Sequence, residues 1–189
     1  MSPAARPHVL GIDDAPFVKW RDLTVPIVAV MMEGAAVVES VAITSFPVDG
    51  DEPTRFLAEW IESLRIATSL QAIVLGGITI AGLGVVDLVA LSEALDRPVL
   101  AVTRRDPSAS EVRRALAAAH LESRLPIVER CPPAWQVTEG LFASAAGVRP
   151  ADAASLIRAT LGKARLPEPL RVAHLVARAL VMGESRGRV

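Results

Sequence analysis

The sequence predicts an α/β domain on a mixed sheet, in which three antiparallel strands precede alternating helices and strands. Three observations carry this expectation. The first half holds three consecutive β-favouring apolar runs joined by short segments, the pattern of a meander. Beyond residue 53 the pattern changes to helix-spaced apolar residues alternating with short buried-type strands. The chain has 189 residues, 51% hydrophobic and 22% charged, which suits one domain, 1–189, with a packed core.

The elements follow in order. His8 to Asp13 is an apolar run ending in acids, and Val25 to Glu33 and Ala36 to Val48 are two further strands with Glu33-Gly34 at the turn between them. From Pro53 to Ala67, Phe56, Leu57, Trp60, Ile61 and Leu64 recur at helical spacing, with proline in the first turn. Gln71 to Leu75 predicts a buried strand, Val85 to Leu95 a helix, and Pro98 to Thr103 another buried strand. A helix is expected over Ser108 to Leu121, capped by Ser108 or Ser110. The proline-containing stretch Glu122 to Pro133 is expected to be an irregular surface connection, and Leu141 to Ala145 a further strand. Two helices, Pro150 to Leu161 and Pro169 to Met182, close the chain. Three antiparallel strands followed by helix–strand–helix–strand is the order of an RNase H-like sheet. The alternation by itself also fits a doubly wound fold.

Composition bounds the function. A net charge of -1 excludes a globally basic nucleic-acid binder but leaves room for a local arginine patch. Aromatic residues make up 4%, with no tyrosine, so aliphatic side chains must build the core. A lone cysteine, Cys131, excludes an internal disulfide and points to a reducing compartment. The first residues lack an apolar signal core, and no apolar run approaches the roughly 20 residues that cross a bilayer. The expectation is a cytoplasmic protein with no membrane partner.

Several residues could carry chemistry. Asp13 and Asp14 end the first strand, where oxygen donors suit Mg²⁺ or Mn²⁺; aspartates are equally common as plain turn residues. Asp49-Gly50-Asp51-Glu52 precedes a helix, so these acids read either as caps complementing its dipole or as a second ligand. The stretch Gly76 to Gly84 could cradle a phosphate, or its glycines could let the backbone pass close to another element. It lacks the Lys-Ser/Thr of a P-loop and the third glycine of a dinucleotide loop. His174, in an apolar helix, reads as a satisfied core histidine before it reads as a ligand. Cys131 has no nucleophile context and reads as inert. Arg186 and Arg188 flank a glycine in a terminal segment that is either a solvated tail or a phosphate clamp.

Together these segments resemble one family. Gly11-Ile12-Asp13-Asp14-Ala15-Pro16-Phe17, Val48-Asp49-Gly50 with Glu52, Gly77-Ile78-Thr79 through Gly82, and Val85-Val86-Asp87 are similar to successive motifs of endonuclease dU. Pro98 to Arg105, Pro167 to Leu175 and Gly183-Glu184-Ser185 continue the resemblance over nearly the whole chain. That family is distantly similar to endonuclease V. The resemblance implies an RNase H-like fold and a divalent cation, Mg²⁺ or Mn²⁺, that activates water for in-line attack on a nucleic-acid phosphodiester. It makes Asp13 the central metal ligand and catalytic acid, with Asp14 assisting and Glu52 the second acid. Arg104, Arg105, Arg186 and Arg188 would touch the nucleic-acid backbone. The family name implies uracil-containing DNA as the partner.

One departure stands out. The family's aspartate before Gly-Ile-Thr falls at position 76, which is glycine here. Losing one carboxylate of three weakens the hold on Mg²⁺. The sequence therefore supports two expectations: a metal-dependent endonuclease with reduced activity, or a catalytically degenerate nucleic-acid-binding protein of the same fold.

Overall fold

In the computed structural model, which describes residues 6–107 and 109–186, the apolar run that opens the chain forms the pivotal strand. This strand, β1 (His8–Asp14), pairs antiparallel with β2 (Thr24–Glu33), which pairs antiparallel with β3 (Val37–Pro47). The β2–β3 turn runs through Gly34 at φ +59°, a left-handed conformation that glycine takes at little cost. Helix α1 (Pro53–Ser63) follows, then β4 (Ala72–Leu75), parallel to β1. The helix stops four residues short of the predicted Ala67, because Leu64 leaves helical geometry for an extended conformation.

The next segment departs from the sequence reading. The predicted start of a helix at Val85 is instead a small hairpin, β5 (Thr79–Ile80) with β6 (Gly84–Val85), turning through Ala81 and Gly82 at positive φ. Helix α2 (Leu88–Leu95) begins only after Asp87, whose carboxylate accepts from the Val89 and Ala90 N–H groups and so caps it. Strand β7 (Val99–Thr103) lies parallel to β4, and α3 (Ala109–Ala118) ends three residues before the predicted Leu121. The candidate cap Ser108 lies outside the described residues. The proline-containing connection is ordered as a 3₁₀ turn (Glu122–Arg124) running into α4 (Leu125–Arg130), with Pro126 in the first turn, where its missing N–H costs nothing. The unpredicted β8 (Trp135–Thr138) and the predicted β9 (Leu141–Ala146) extend the sheet antiparallel. Helices α5 (Pro150–Thr160) and α6 (Glu168–Met182) complete the described chain.

The seven strands run in the order β3-β2-β1-β4-β7-β9-β8. Alternation along β1 divides its side chains between two layers. Leu10 and Ile12 share one core cluster with Leu57 and Ile61 of α1 and Leu88 and Leu91 of α2. Val9 packs instead with Val74, Leu100, Ile157 of α5 and Leu170 of α6. Gly11 explains how closely α6 settles on β1: a Cβ there would lie 2.2 Å from the backbone nitrogen of Leu170. Only glycine permits that approach. Among the described residues no helix is long and apolar enough to cross a membrane.

Candidate nucleic-acid cleft

The Gly11–Leu170 contact sets the register of the site. Two residues along the strand from Gly11 is Asp13, a rise of about 6.6 Å. Four residues along the helix from Leu170 is His174, a rise of about 6 Å. The two side chains therefore meet, with His174 Nδ1 2.7 Å from Asp13 Oδ2. The histidine side chain is half exposed, so the expectation of a satisfied core residue is corrected. The lining face of α6 also carries Arg171 and Arg178, spaced three before and four after His174, a single helical stripe. That spacing was legible in the sequence, but its role was not.

Gly76 follows the β4 residue paired with Ile12, which sets it beside Asp13. A Cβ at this position would lie 3.5 Å from Asp13 Oδ1 and 3.8 Å from Leu170 Cδ1, both ordinary contacts. The site thus has space for a side chain and lacks one.

Asp14, one residue on, points to the opposite layer. Its Oδ2 accepts from the Ala81 N–H at 2.8 Å. Burial, and then the charge of Asp13, push its carboxyl up to about 6. Glu52 adopts a left-handed φ of 54° at the start of α1, makes no side-chain cap, and pairs with Arg55 at 2.8 Å in solvent. It does not line the cleft that holds Asp13.

The neighbouring acids are occupied in holding the hairpin. Asp49 accepts from the Leu83 N–H at 2.8 Å and pairs with Lys19 at 3.2 Å. Gly82 lies against it so closely that a Cβ would sit 2.4 Å from Asp49 Oδ1. Arg124, almost wholly buried, donates to the carbonyls of Leu83 (2.6 Å) and Asp49 (2.7 Å) and to Asp51 Oδ1 (2.6 Å). Asp87 caps α2 and pairs with Arg130. Of the two readings of the Gly-rich stretch, close backbone approach is the one this geometry supports. Among the described residues no group of three His, Cys, Asp or Glu side chains is placed to hold a metal ion.

A cleft of about 1100 Å³ opens over Asp13, Gly76 and His174. Arg104, Arg105, Arg171, Arg178 and Arg186 line it, over an apolar floor that includes Val102, Leu170 and Leu175. The loop after β7 that carries two of these arginines is tied by Thr103 Oγ1 donating to the Arg105 carbonyl at 2.7 Å. Arg171 is clamped by Glu168, its Nη2 2.6 Å from Oε2. Arg188 lies outside the described residues. Behind Gly76 and Thr103 a second cavity of about 390 Å³ reaches Cys131 and Ser144. Burial pushes the Cys131 thiol up, which disfavours the reactive thiolate.

The family model of endonuclease dU matches residues 5–181. The chain belongs to the endonuclease dU family. Across 184 aligned residues it is 37% identical to a UPF0215 protein of Methanothermobacter thermautotrophicus, covering 95% of this chain and 90% of that one. With a UPF0215 protein of Methanopyrus kandleri the identity is 35%, covering 94% and 93%. A solved structure of a protein of unknown function from Archaeoglobus fulgidus aligns with a TM-score of 0.85 at 30% identity, over 93% of this chain and 99% of that one. Endonuclease V from Streptomyces avermitilis aligns with a TM-score of 0.60 at 19% identity, over 96% and 84%. Ciona intestinalis endonuclease V, in complex with a 24mer DNA containing an inosine followed by a ribo-adenosine, aligns with a TM-score of 0.57 at 15% identity, over 92% and 84%. This endonuclease dU chain therefore has the RNase H-like fold that its element order predicted, and it is an endonuclease-like protein by family.

Proposed function

We propose that this protein binds nucleic acid in the arginine-lined cleft and has lost most or all of the metal-dependent cleavage that its fold could support. The observation that carries the reading is the bare Gly76 beside Asp13. The cation that the family implies, Mg²⁺ or Mn²⁺, does not fit the donors present. Asp13 supplies one carboxylate; its neighbour His174 is a nitrogen donor, poorly matched to Mg²⁺. Asp14 is turned to the hairpin and Glu52 to Arg55. Mg²⁺ sites rest on one or two carboxylates in near-ideal octahedral geometry; here Asp13 is engaged by an imidazole, and the other carboxylate lining the cleft, Glu184, lies 3.8 Å from Arg186. The lining arginines are unaffected by that loss; Arg171 is held by Glu168 and Arg186 lies near Glu184, while Arg104, Arg105 and Arg178 suit phosphate oxygens. DNA is the partner to test first, given the family's name and the DNA held by an endonuclease V of the same fold.

The test compares the natural chain with Gly76→Asp on uracil- and inosine-containing oligonucleotides with Mg²⁺ or Mn²⁺. The expected result is binding by both proteins and metal-dependent cleavage only by the variant. Efficient cleavage by the natural chain, abolished by Asp13→Ala, would instead support the second reading, a working metal-dependent endonuclease. What favours that reading is the position of Asp13 at the end of a central strand with His174 in contact.

A further inference from the structure

We infer that the turn after β1 is a base-stacking platform, with Trp20 as its flat surface, and that the nucleic acid bound by this protein is single-stranded. This rests on the reading of the cleft as a nucleic-acid site.

The observation is a tryptophan exposed to 94%. Its backbone sits at φ +70°, a left-handed conformation rarely adopted by a bulky residue. Nothing about the turn is slack. Val18 N–H donates to Asp22 Oδ2 at 2.7 Å, and the Arg21 and Asp22 N–H groups donate back to the Val18 carbonyl. Phe17 packs into the core, and Lys19 reaches Asp49 at 3.2 Å. The chain is therefore fixed on both sides of an indole that the protein itself leaves uncovered. Strain held in place by surrounding bonds is characteristic of functional positions. Lys19 Nζ stands over one face of the indole, 5.4 Å from the ring centroid, so the opposite face is the stacking surface. Leu23, three residues on, is exposed to 86%.

Topology puts this surface at the same end of the sheet as the cleft. Strands β1, β4 and β7 are parallel, so the turn after β1, Gly76 after β4 and Arg104-Arg105 after β7 all leave from one end. Strand β7 is two strands from β1, about 10 Å away. Trp20 is six residues beyond Asp14, within about 20 Å by chain reach. Lys19 and Phe17 tie the turn to the hairpin side of that end, so a phosphate backbone held by Arg104 and Arg105 reaches Trp20 by passing over the strand ends, a span of a few nucleotides. In a duplex the base faces are already stacked on one another; a single strand offers them to an aromatic plane. Arginines along the backbone with an aromatic surface beside them is the general arrangement by which single strands are held.

The test measures binding of one labelled oligonucleotide, single-stranded and as a duplex, to the natural chain, Trp20→Ala, Trp20→Phe and Arg104→Ala. The expectation is that Trp20→Ala weakens single-strand binding on the order of tenfold, the scale of one lost base–aromatic stack. Trp20→Phe recovers most of it, and duplex binding stays as it was. The dependence on salt should be unchanged by Trp20→Ala and shallower in Arg104→Ala. Indole emission should be quenched by the single strand in the natural chain and lose that component in Trp20→Phe. Equal single-strand affinity of Trp20→Ala and the natural chain overturns the inference while leaving the cleft reading intact. So does an equal loss on duplex, or a change confined to self-association in sedimentation. No nucleic-acid binding by any of the proteins removes both the inference and the reading beneath it.

Discussion

Two adjacent carboxylates, Asp13 and Asp14, end the same strand and serve opposite sides of the sheet. Asp13 lies over α6, paired with His174 in an open, arginine-lined cleft. Asp14 lies toward the hairpin, half-buried, bonded to a backbone amide and pushed up to about 6. The comparison teaches that the two halves of this chain end have separated duties. On the hairpin side Asp14 and Asp49 accept from hairpin amides, and Arg124 donates to the Leu83 and Asp49 carbonyls and to the exposed Asp51. The α6 side retains charge and space, but at the strand ends Asp13 faces a bare Gly76. Family motifs rich in acids thus contribute mainly to architecture here.

The comparison breaks most sharply at Arg124. Removing it by Arg124→Met leaves the Leu83 and Asp49 carbonyls without their donor. The expected loss is about 3 kcal/mol, the scale of unsatisfied buried acceptors, measured by urea unfolding. Nucleic-acid affinity under native conditions should move far less. If stability is unchanged, the hairpin is not held as described.

Asp14→Asn sharpens the comparison with a pH signature. A carboxyl raised from 3.8 to about 6 in the folded state binds its proton more tightly there than in the unfolded chain. Stability from this group is full below pH 3.8 and is lost as pH rises to about 6. Above that, the half-buried charge costs on the order of 3 kcal/mol. Asparagine retains an oxygen for the Ala81 N–H and carries no charge. The variant should therefore be more stable at pH 7 and lose this fall between pH 4 and 6. A variant destabilised at every pH would contradict the burial account.

His174→Ala is the smallest change. The pair it breaks is half exposed on the histidine side, and such pairs contribute at most about 1 kcal/mol. A shift in melting temperature of more than a few degrees would show that this side, too, is structural.

The fold was legible because apolar runs and helical spacing are local signals. The hairpin was not, since Thr79–Ile80 and Gly84–Val85 are too short to show a period and are held by partners such as Asp49 and Arg124, far off in sequence. Strand β8 was hidden by its half-buried alternation and the prolines before it. At the site, Asp13 was legible as the end of a central strand. The divergence of Asp14 was available too, because neighbours on a strand face opposite sides. His174 was not, because its partner lies 161 residues away and its sequence neighbours are apolar. Arg171 and Arg178 share that difficulty: their stripe is visible, but only the packing of α6 on Gly11 turns it toward the cleft.

The central claim is that the missing side chain at position 76 is what leaves the cleft without a competent cation site, the other nearby acids being held elsewhere. Titrating Mn²⁺ into the natural chain and into Gly76→Asp by calorimetry tests it directly. The account predicts negligible heat for the natural chain and saturable binding, at least tenfold tighter, for the variant, a gain of about 1.4 kcal/mol or more. Equal Mn²⁺ affinity in the two proteins would contradict it.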